Sequence, residues 1–241
     1  MTQLSVIIPT LREAGRIEAS VRAVAAYLGE KGISHEFLVV DGASEDGTAA
    51  VVEKLGRELP HVALINDPEN LGKGYAVKLG MLRAHGELRV FLDADLSTPI
   101  DELSKLLEAA SRGHDVVIGS RGMAESNIIT HQPFFREISG KFHNIWVGFW
   151  TGLIFQDTQC GFKLFTGRAA EKIFKIQRCT GFAFDVELLF IARKLGYKIA
   201  EVPVRWKHAF PSNARVLQTG WETFWDTTRI PRWHRNLGPN A

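Results

Sequence analysis

Leu88-Arg89-Val90-Phe91-Leu92-Asp93-Ala94-Asp95 runs from an apolar segment straight into two carboxylates spaced i, i+2. Leu88–Leu92 reads as a buried strand, and acids at the end of such a strand are costly unless paired or metal-bound. Four more short runs rich in Val and Ile accompany it, at Leu4–Ile8, Phe37–Val40, Val62–Ile65 and Val116–Ile118. Segments of helical spacing separate them. Ile17, Val21, Val24 and Leu28 mark the first, Val52 and Leu55 the second. Ala76, Leu79 and Leu82 mark the third, and Leu103, Leu106, Leu107 and Ala110 the fourth. The alternation predicts an α/β fold, a mostly parallel Rossmann-like sheet flanked by helices with right-handed crossovers. Ligands of such sheets bind outside the carboxyl ends of the strands.

After Gly119 the beat breaks. Residues 120–132 are polar and read as a long, mobile loop, followed by a helix over Lys141–Leu153 and a strand or turn around Gln159–Phe165. Helices are expected at Ala169–Lys175 and Phe184–Leu195, a strand at Lys198–Val204, and a last helix from Val216. With no linker or internal repeat, the simplest organisation is a single domain over 1–241 with an elaborated second half.

The 241 residues carry 29 Lys+Arg against 27 Asp+Glu, a net charge of +2 that offers nucleic acid no basic field. Cys160 and Cys179 suffice for neither a zinc cluster nor a disulfide scaffold, so two reduced thiols in a cytosolic protein are expected. Met1-Thr2-Gln3 begins no basic, apolar leader, and no run approaches the ~20 apolar residues of a spanning helix. The expectation is a soluble or peripheral protein. All six Trp fall between Trp146 and Trp233.

Four of the five strand ends carry polar or glycine-rich sequence: Pro9-Thr10-Leu11-Arg12-Glu13, Asp41-Gly42 through Gly47-Thr48, Asp93-Ala94-Asp95, and Gly119-Ser120-Arg121. On a straight strand Asp93 and Asp95 share a face and suit a hard divalent cation bridging phosphate oxygens. Taken alone, Asp-x-Asp is equally a strand end whose acids cap the next helix, and Asp41 with Ser44–Thr48 equally a turn. Asn70-Leu71-Gly72-Lys73-Gly74 opens a helix where backbone amides and Lys73 can face an anion. Walker, dinucleotide and serine-hydrolase signatures are absent.

In this order the segments resemble glycosyltransferase family 2, inverting GT-A enzymes that use nucleotide sugars. The carrying residues are Ser5–Thr10 with Glu13, Val39–Asp41 through Gly47-Thr48, Asn70–Gly74, Asp93–Asp95 and Gly119–Arg121. Asp157–Phe165 and Phe182–Leu189 extend the likeness, most like the dolichyl-phosphate β-glucosyltransferases, with polyprenyl-phosphate mannose synthases close behind. The resemblance implies a nucleotide-binding half at 1–119, an acceptor and sugar half at 120–204, and a C-terminal amphipathic segment at 205–241. Pro9, Thr10, Glu13, Asp41 and Ser44 would line the nucleoside pocket, with Lys73 and Asp93 toward the diphosphate. Asp93 and Asp95 would hold Mg2+ or Mn2+. Arg121 and Arg136 would neutralise phosphate charge, Gln159 and Lys163 line the sugar and acceptor region, and Ser212 and Arg215 belong to a closing loop. Three positions depart from the family pattern: Gly42 replaces an Asp, Arg12 an Asn, and Ser97 the Gln that serves mannose synthases as a metal ligand.

A lipid-phosphate acceptor is already anionic, so its attack on a UDP-sugar needs positioning and charge neutralisation but no general base. An alcohol acceptor would need one, with Asp185 or Asp157 as candidates. Between Arg205 and Arg235, six basic residues against two acidic are interleaved with Trp206, Trp221, Trp225 and Trp233, the composition of a bilayer interface. Phe142, Trp146, Phe149, Trp150, Leu153 and Ile154 form a second apolar group, equally suited to a core. The expectation from the resemblance is a peripheral enzyme on the cytoplasmic face of a membrane that transfers a hexose, glucose or an N-acetylhexosamine, from a UDP-sugar to a polyprenyl or dolichyl phosphate, with a GDP-mannose-dependent mannose synthase or a non-lipid acceptor as alternatives. Rival readings are a sugar nucleotidyltransferase, a processive polysaccharide synthase and a non-catalytic nucleotide-sugar-binding protein.

Overall fold

The computed structural model describes residues 2–130, 134–207 and 216–238; the side chains of 129–141, 143 and 216–220 stand outside the description. The first half is β1 (Leu4–Thr10), α1 (Ile17–Glu30), β2 (His35–Asp41), α2 (Thr48–Glu58), β3 (Val62–Asn66), α3 (Lys73–Arg83) and β4 (Leu88–Leu92). A 3-10 turn at Ile100–Glu102 leads into α4 (Leu103–Ser111) and β5 (Val116–Ser120). The second half adds β6 (Asn127–Thr130), α5 (Phe134–Thr151), β7 (Phe162–Thr166), α6 (Gly167–Ile176), α7 (Phe184–Lys194), β8 (Ile199–Pro203), β9 (Arg205–Lys207) and α8 (Val216–Trp233).

Seven strands form one sheet in the order β3-β2-β1-β4-β7-β5-β8. Every pairing is parallel except those of β7, which runs antiparallel between β4 and β5. Side chains alternate across each strand, so one run feeds two cores. Ile7, Val40, Phe91 and Phe165 meet α3, α6 and α7 on one face. Val6, Ile8, Val39, Val90 and Leu164 meet α1, α2 and α4 on the other. Both cysteines are free and buried.

The reversal of β7 positions the site. An antiparallel strand begins where its parallel neighbours end, so the segment entering β7, Asp157–Gly161, lies beside the carboxyl ends of β4 and β5. The stretch expected as a loop contains β6, which pairs with β9 in a small second sheet. Its partner Arg205 lies far along the chain, and four residues are too few to display a strand pattern of their own.

Helices α5 and α8 pack together, with the Trp146 and Phe224 rings stacked at 3.9 Å. Arg193 of α7 donates to the carbonyls of Thr151 and Gly152, closing the end of α5. Of the four interleaved C-terminal tryptophans, Trp221 and Trp225 are exposed, whereas Trp206 is buried and Trp233 packs against the core. Among the described residues no helix is long and apolar enough to cross a membrane.

Candidate active site

At the end of β2, Asp41 is 2% exposed and fully engaged. Its Oδ1 accepts from the hydroxyls of Thr10 (3.1 Å) and Ser44 (2.6 Å), and its Oδ2 from the Ser44 N–H (2.9 Å). One carboxylate thus ties the loop after β2 to the end of β1, the local bonding that makes Asp a turn organiser. Pro9 is partly buried. A Cβ at Gly42 would press against Asn70 Oδ1, so the glycine makes room for the Asn70 loop beside Asp41.

Glu13 donates its backbone N–H to Thr48 Oγ1 (2.9 Å) and pairs with Arg16 (2.7 Å). Burial pushes its carboxyl above the ordinary range; Arg16 opposes the shift, and Asp95, Asp46 and Asp93 reinforce it. Glu13 therefore feels the same negative cleft as the Asp-x-Asp pair.

β4 stops at Leu92, and Asp93-Ala94-Asp95-Leu96 is a turn rather than a straight strand end. Leu96 donates its N–H to the Asp93 carbonyl and adopts φ 48°. Asp95 Oδ1 accepts from the Ser97 N–H at 2.9 Å. Asp93 Oδ1 accepts from Lys73 Nζ at 2.6 Å. The lysine expected to face an anion thus faces a carboxylate. Burial alone would lower the Lys73 pKa, but Asp93, Asp185 and Asp95 outweigh it and hold the ammonium above its ordinary value. Both aspartates keep part of their surface open. Among the described residues no three His, Cys, Asp or Glu side chains converge. The two acids fit a hard cation only if phosphate oxygens and water complete its shell.

Beyond β5, Arg121 meets Asp157 in a two-point ion pair, Nε–Oδ2 2.6 Å and Nη2–Oδ1 2.9 Å, and its N–H adds a third bond. Its guanidinium lies 5.6 Å from the Trp206 ring. Burial would raise the Asp157 pKa, and Arg121 overrides it and holds the carboxyl below its ordinary value. Gln159 is partly exposed and anchored by its N–H on Asp157 Oδ1.

Lys163 has no exposed surface. It donates to Asp185 Oδ1 and to the Cys160 carbonyl, both at 2.5 Å, with its ammonium 5.4 Å from the Phe91 ring. Neither side chain of the pair is more than 5% exposed. Asp185 opens α7, and burial holds its carboxyl up against the pull of Lys163 and Lys73. Arg136 belongs to α5 with its side chain outside the described set, and Ser212 and Arg215 lie outside the described residues. Thr10, Glu13, Asp41, Ser44, Lys73, Asp93, Asp95, Arg121 and Gln159 thus gather at one end of the sheet. The Arg121–Asp157 and Lys73–Asp93 pairings and the Trp206 contact had no signal in sequence, because their partners stand 36, 20 and 85 positions apart.

The glycosyl transferase family 2 model matches residues 5–167. A dolichyl-phosphate beta-glucosyltransferase of Trichomonas vaginalis (ALG5A) is 35% identical over 225 residues, 88% of this chain and 68% of that protein. That of Drosophila melanogaster is 36% identical over 219 residues, 85% of this chain and 67% of that protein. The fold is shared with mannosyl-3-phosphoglycerate synthase from Rubrobacter xylanophilus, at TM-score 0.73 and 18% identity over 98% of this chain and 76% of that one. It is shared too with glucosyl-3-phosphoglycerate synthase from Mycobacterium tuberculosis, solved with Mn2+, UDP and phosphoglyceric acid, at TM-score 0.68 and 17% identity over 95% and 78%. With the ordered motifs gathered at the strand ends and the family model spanning more than half of its residues, this chain belongs to glycosyltransferase family 2.

Proposed function

We propose that the protein transfers glucose, with inversion, from UDP-glucose to a polyprenyl or dolichyl phosphate at a membrane surface. The observation that carries this reading is the similarity to dolichyl-phosphate beta-glucosyltransferases along most of the chain. Pro9, Thr10, Glu13, Asp41 and Ser44 form the nucleoside side of the cleft. Asp93 and Asp95 would hold Mg2+ or Mn2+, which would neutralise charge on the leaving diphosphate. Arg121, positioned by Asp157, adds positive charge, and Gln159 borders the sugar. Arg136, Ser212 and Arg215 keep the phosphate and closing roles that the motifs imply. An anionic lipid phosphate needs no base, in keeping with the engagement of both candidate bases: Asp157 is tied to Arg121 and Asp185 to Lys163.

A membrane-facing role is supported by the outer surface of the α5–α8 pair. Phe142, Ile145 and Phe149 of α5, Ile154 just beyond it, and Trp221 and Trp225 of α8 are each exposed. Exposed Arg229, Arg232 and Arg235 on or just after α8 supply the cations that anionic headgroups attract. The protein then works as a peripheral enzyme on the cytoplasmic face.

The test is transfer of radiolabelled glucose to dolichyl phosphate with and without EDTA, in wild type and Asp95→Asn. Chelation and the substitution should each lower the rate by at least about 100-fold, the scale of losing one electrostatic stabiliser. Activity surviving both overturns the metal role. A parallel screen of UDP-N-acetylhexosamines and GDP-mannose that found either preferred would overturn the donor.

A further inference from the structure

We infer that Lys73 is a tethered stand-in for the metal: its ammonium occupies Asp93 until a diphosphate draws it away, so metal and nucleotide enter the cleft as a coupled pair. This rests on the metal reading above and adds an order of events that the reading does not contain.

Lys73 Nζ lies 2.6 Å from Asp93 Oδ1, and the pair is only partly exposed. Lys73 is the first residue of α3, where the helix dipole disfavours a cation, and the first turn holds no acid to compensate. What holds the ammonium is therefore the carboxylate across the cleft. A Mg2+ or Mn2+ ion held by Asp93 would share this carboxylate with the ammonium. Two cations on one carboxylate in a partly desolvated cleft repel each other severalfold more strongly than in bulk water, which favours release of the ammonium.

The frame decides which part moves. The start of α3 is stitched to the segment before α7, since Tyr75 donates its N–H to the Thr180 carbonyl (3.1 Å) and Gln177 Nε2 donates to the Gly74 carbonyl (2.9 Å). Asp93 is backed by Gly161, where a Cβ would run into its carboxylate. Backbone and acid are thus held, and the flexible four-carbon stem of Lys73 is the mobile piece. The Phe182 ring, 6.0 Å from the ammonium and partly exposed, offers an aromatic face on the way out. A diphosphate supplies acceptors for the three N–H donors of Lys73, replacing what Asp93 gave. Metal and diphosphate must then raise each other's affinity by the same factor.

The experiment measures Mn2+ binding by the electron paramagnetic resonance signal of the free hexaaquo ion, with and without UDP, in wild type, Lys73→Met and Lys73→Arg. Wild type should bind Mn2+ weakly alone and at least about tenfold more tightly with UDP. Lys73→Met should bind about tenfold more tightly than wild type without UDP, and its enhancement by UDP should shrink by the same factor, leaving only what phosphate oxygens in the metal's shell contribute. Lys73→Arg, which keeps a cation beside Asp93, should retain the wild-type pattern. Circular dichroism checks folding, and Lys73→Gln gives the same readout if the Met variant misfolds. Equal Mn2+ affinity and equal UDP dependence in wild type and Lys73→Met overturn this inference alone. Absence of Mn2+ binding by wild type even with UDP overturns the metal reading and this inference with it.

Discussion

Arg121 and Asp157 meet through two side-chain contacts, and Asp157 is 5% exposed. Because the folded-state pKa of Asp157 is depressed below 3.8, the pair's contribution is present above that value and fades as pH falls below it. In Arg121→Gln the guanidinium that chiefly opposes burial is gone, while the backbone N–H of residue 121 and Lys163 still favour the carboxylate, so the Asp157 pKa rises from its wild-type value. The variant then gains less stability than wild type as pH climbs through the carboxylate range. Thermal unfolding between pH 3 and 7 should show its deficit against wild type widening toward pH 7. The deficit there should reach about 2–3 kcal/mol, less than for a fully buried pair because Arg121 is partly exposed. The Lys163–Asp185 pair is more deeply buried, with side chains 0% and 5% exposed. Lys163→Met strands a carboxylate and should cost about 3–5 kcal/mol in urea unfolding, part of it restored by adding Asp185→Leu. A Lys163→Met protein of wild-type stability that has lost transfer would instead put this lysine in the cleft.

At the scale of elements, Glu187 of α7 is the joint of the second half. It accepts the N–H groups of Arg178 and Cys179 and pairs at 2.6 Å with His234, just beyond α8, with both side chains buried. His234→Leu should release α8 first. Its amides should exchange about 10–100-fold faster while β1, β2 and β4 keep their protection, the pattern of sub-global opening. Uniform acceleration across the sheet would show α8 to be part of the global unit. The strands of the first half were readable because each is a local apolar run; β4 falls at Leu88–Leu92 as its residues imply. Strand β6 was not, and the direction of β7 could not be, because an apolar alternation looks the same read either way. The Asp-x-Asp motif was legible as chemistry but not as shape: the turn after Leu92 depends on the positive φ of Leu96, which no spacing rule announces.

For the whole molecule, the near-neutral charge conceals an uneven surface, with acids at the carboxyl ends of the strands and apolar rings on the outer side of α5 and α8. Trp221 and Trp225 are exposed, so replacing both with Ser should leave stability within about 0.5 kcal/mol. The same change should weaken co-sedimentation with anionic vesicles about tenfold, as loss of interfacial aromatic anchors predicts. A fall in melting temperature with unchanged vesicle binding would make the ridge a packing surface. The amino-acid sequence by itself determined the alternating α/β architecture and the family, because apolar periodicity and ordered motifs are properties of neighbouring residues. Tertiary structure alone decided which cleft charges are open and which are engaged: Asp157 on Arg121, Asp185 on Lys163, Lys73 on Asp93, Trp206 turned inward. An ion pair forms wherever folding delivers two groups to one place, and separation along the chain carries no trace of that meeting.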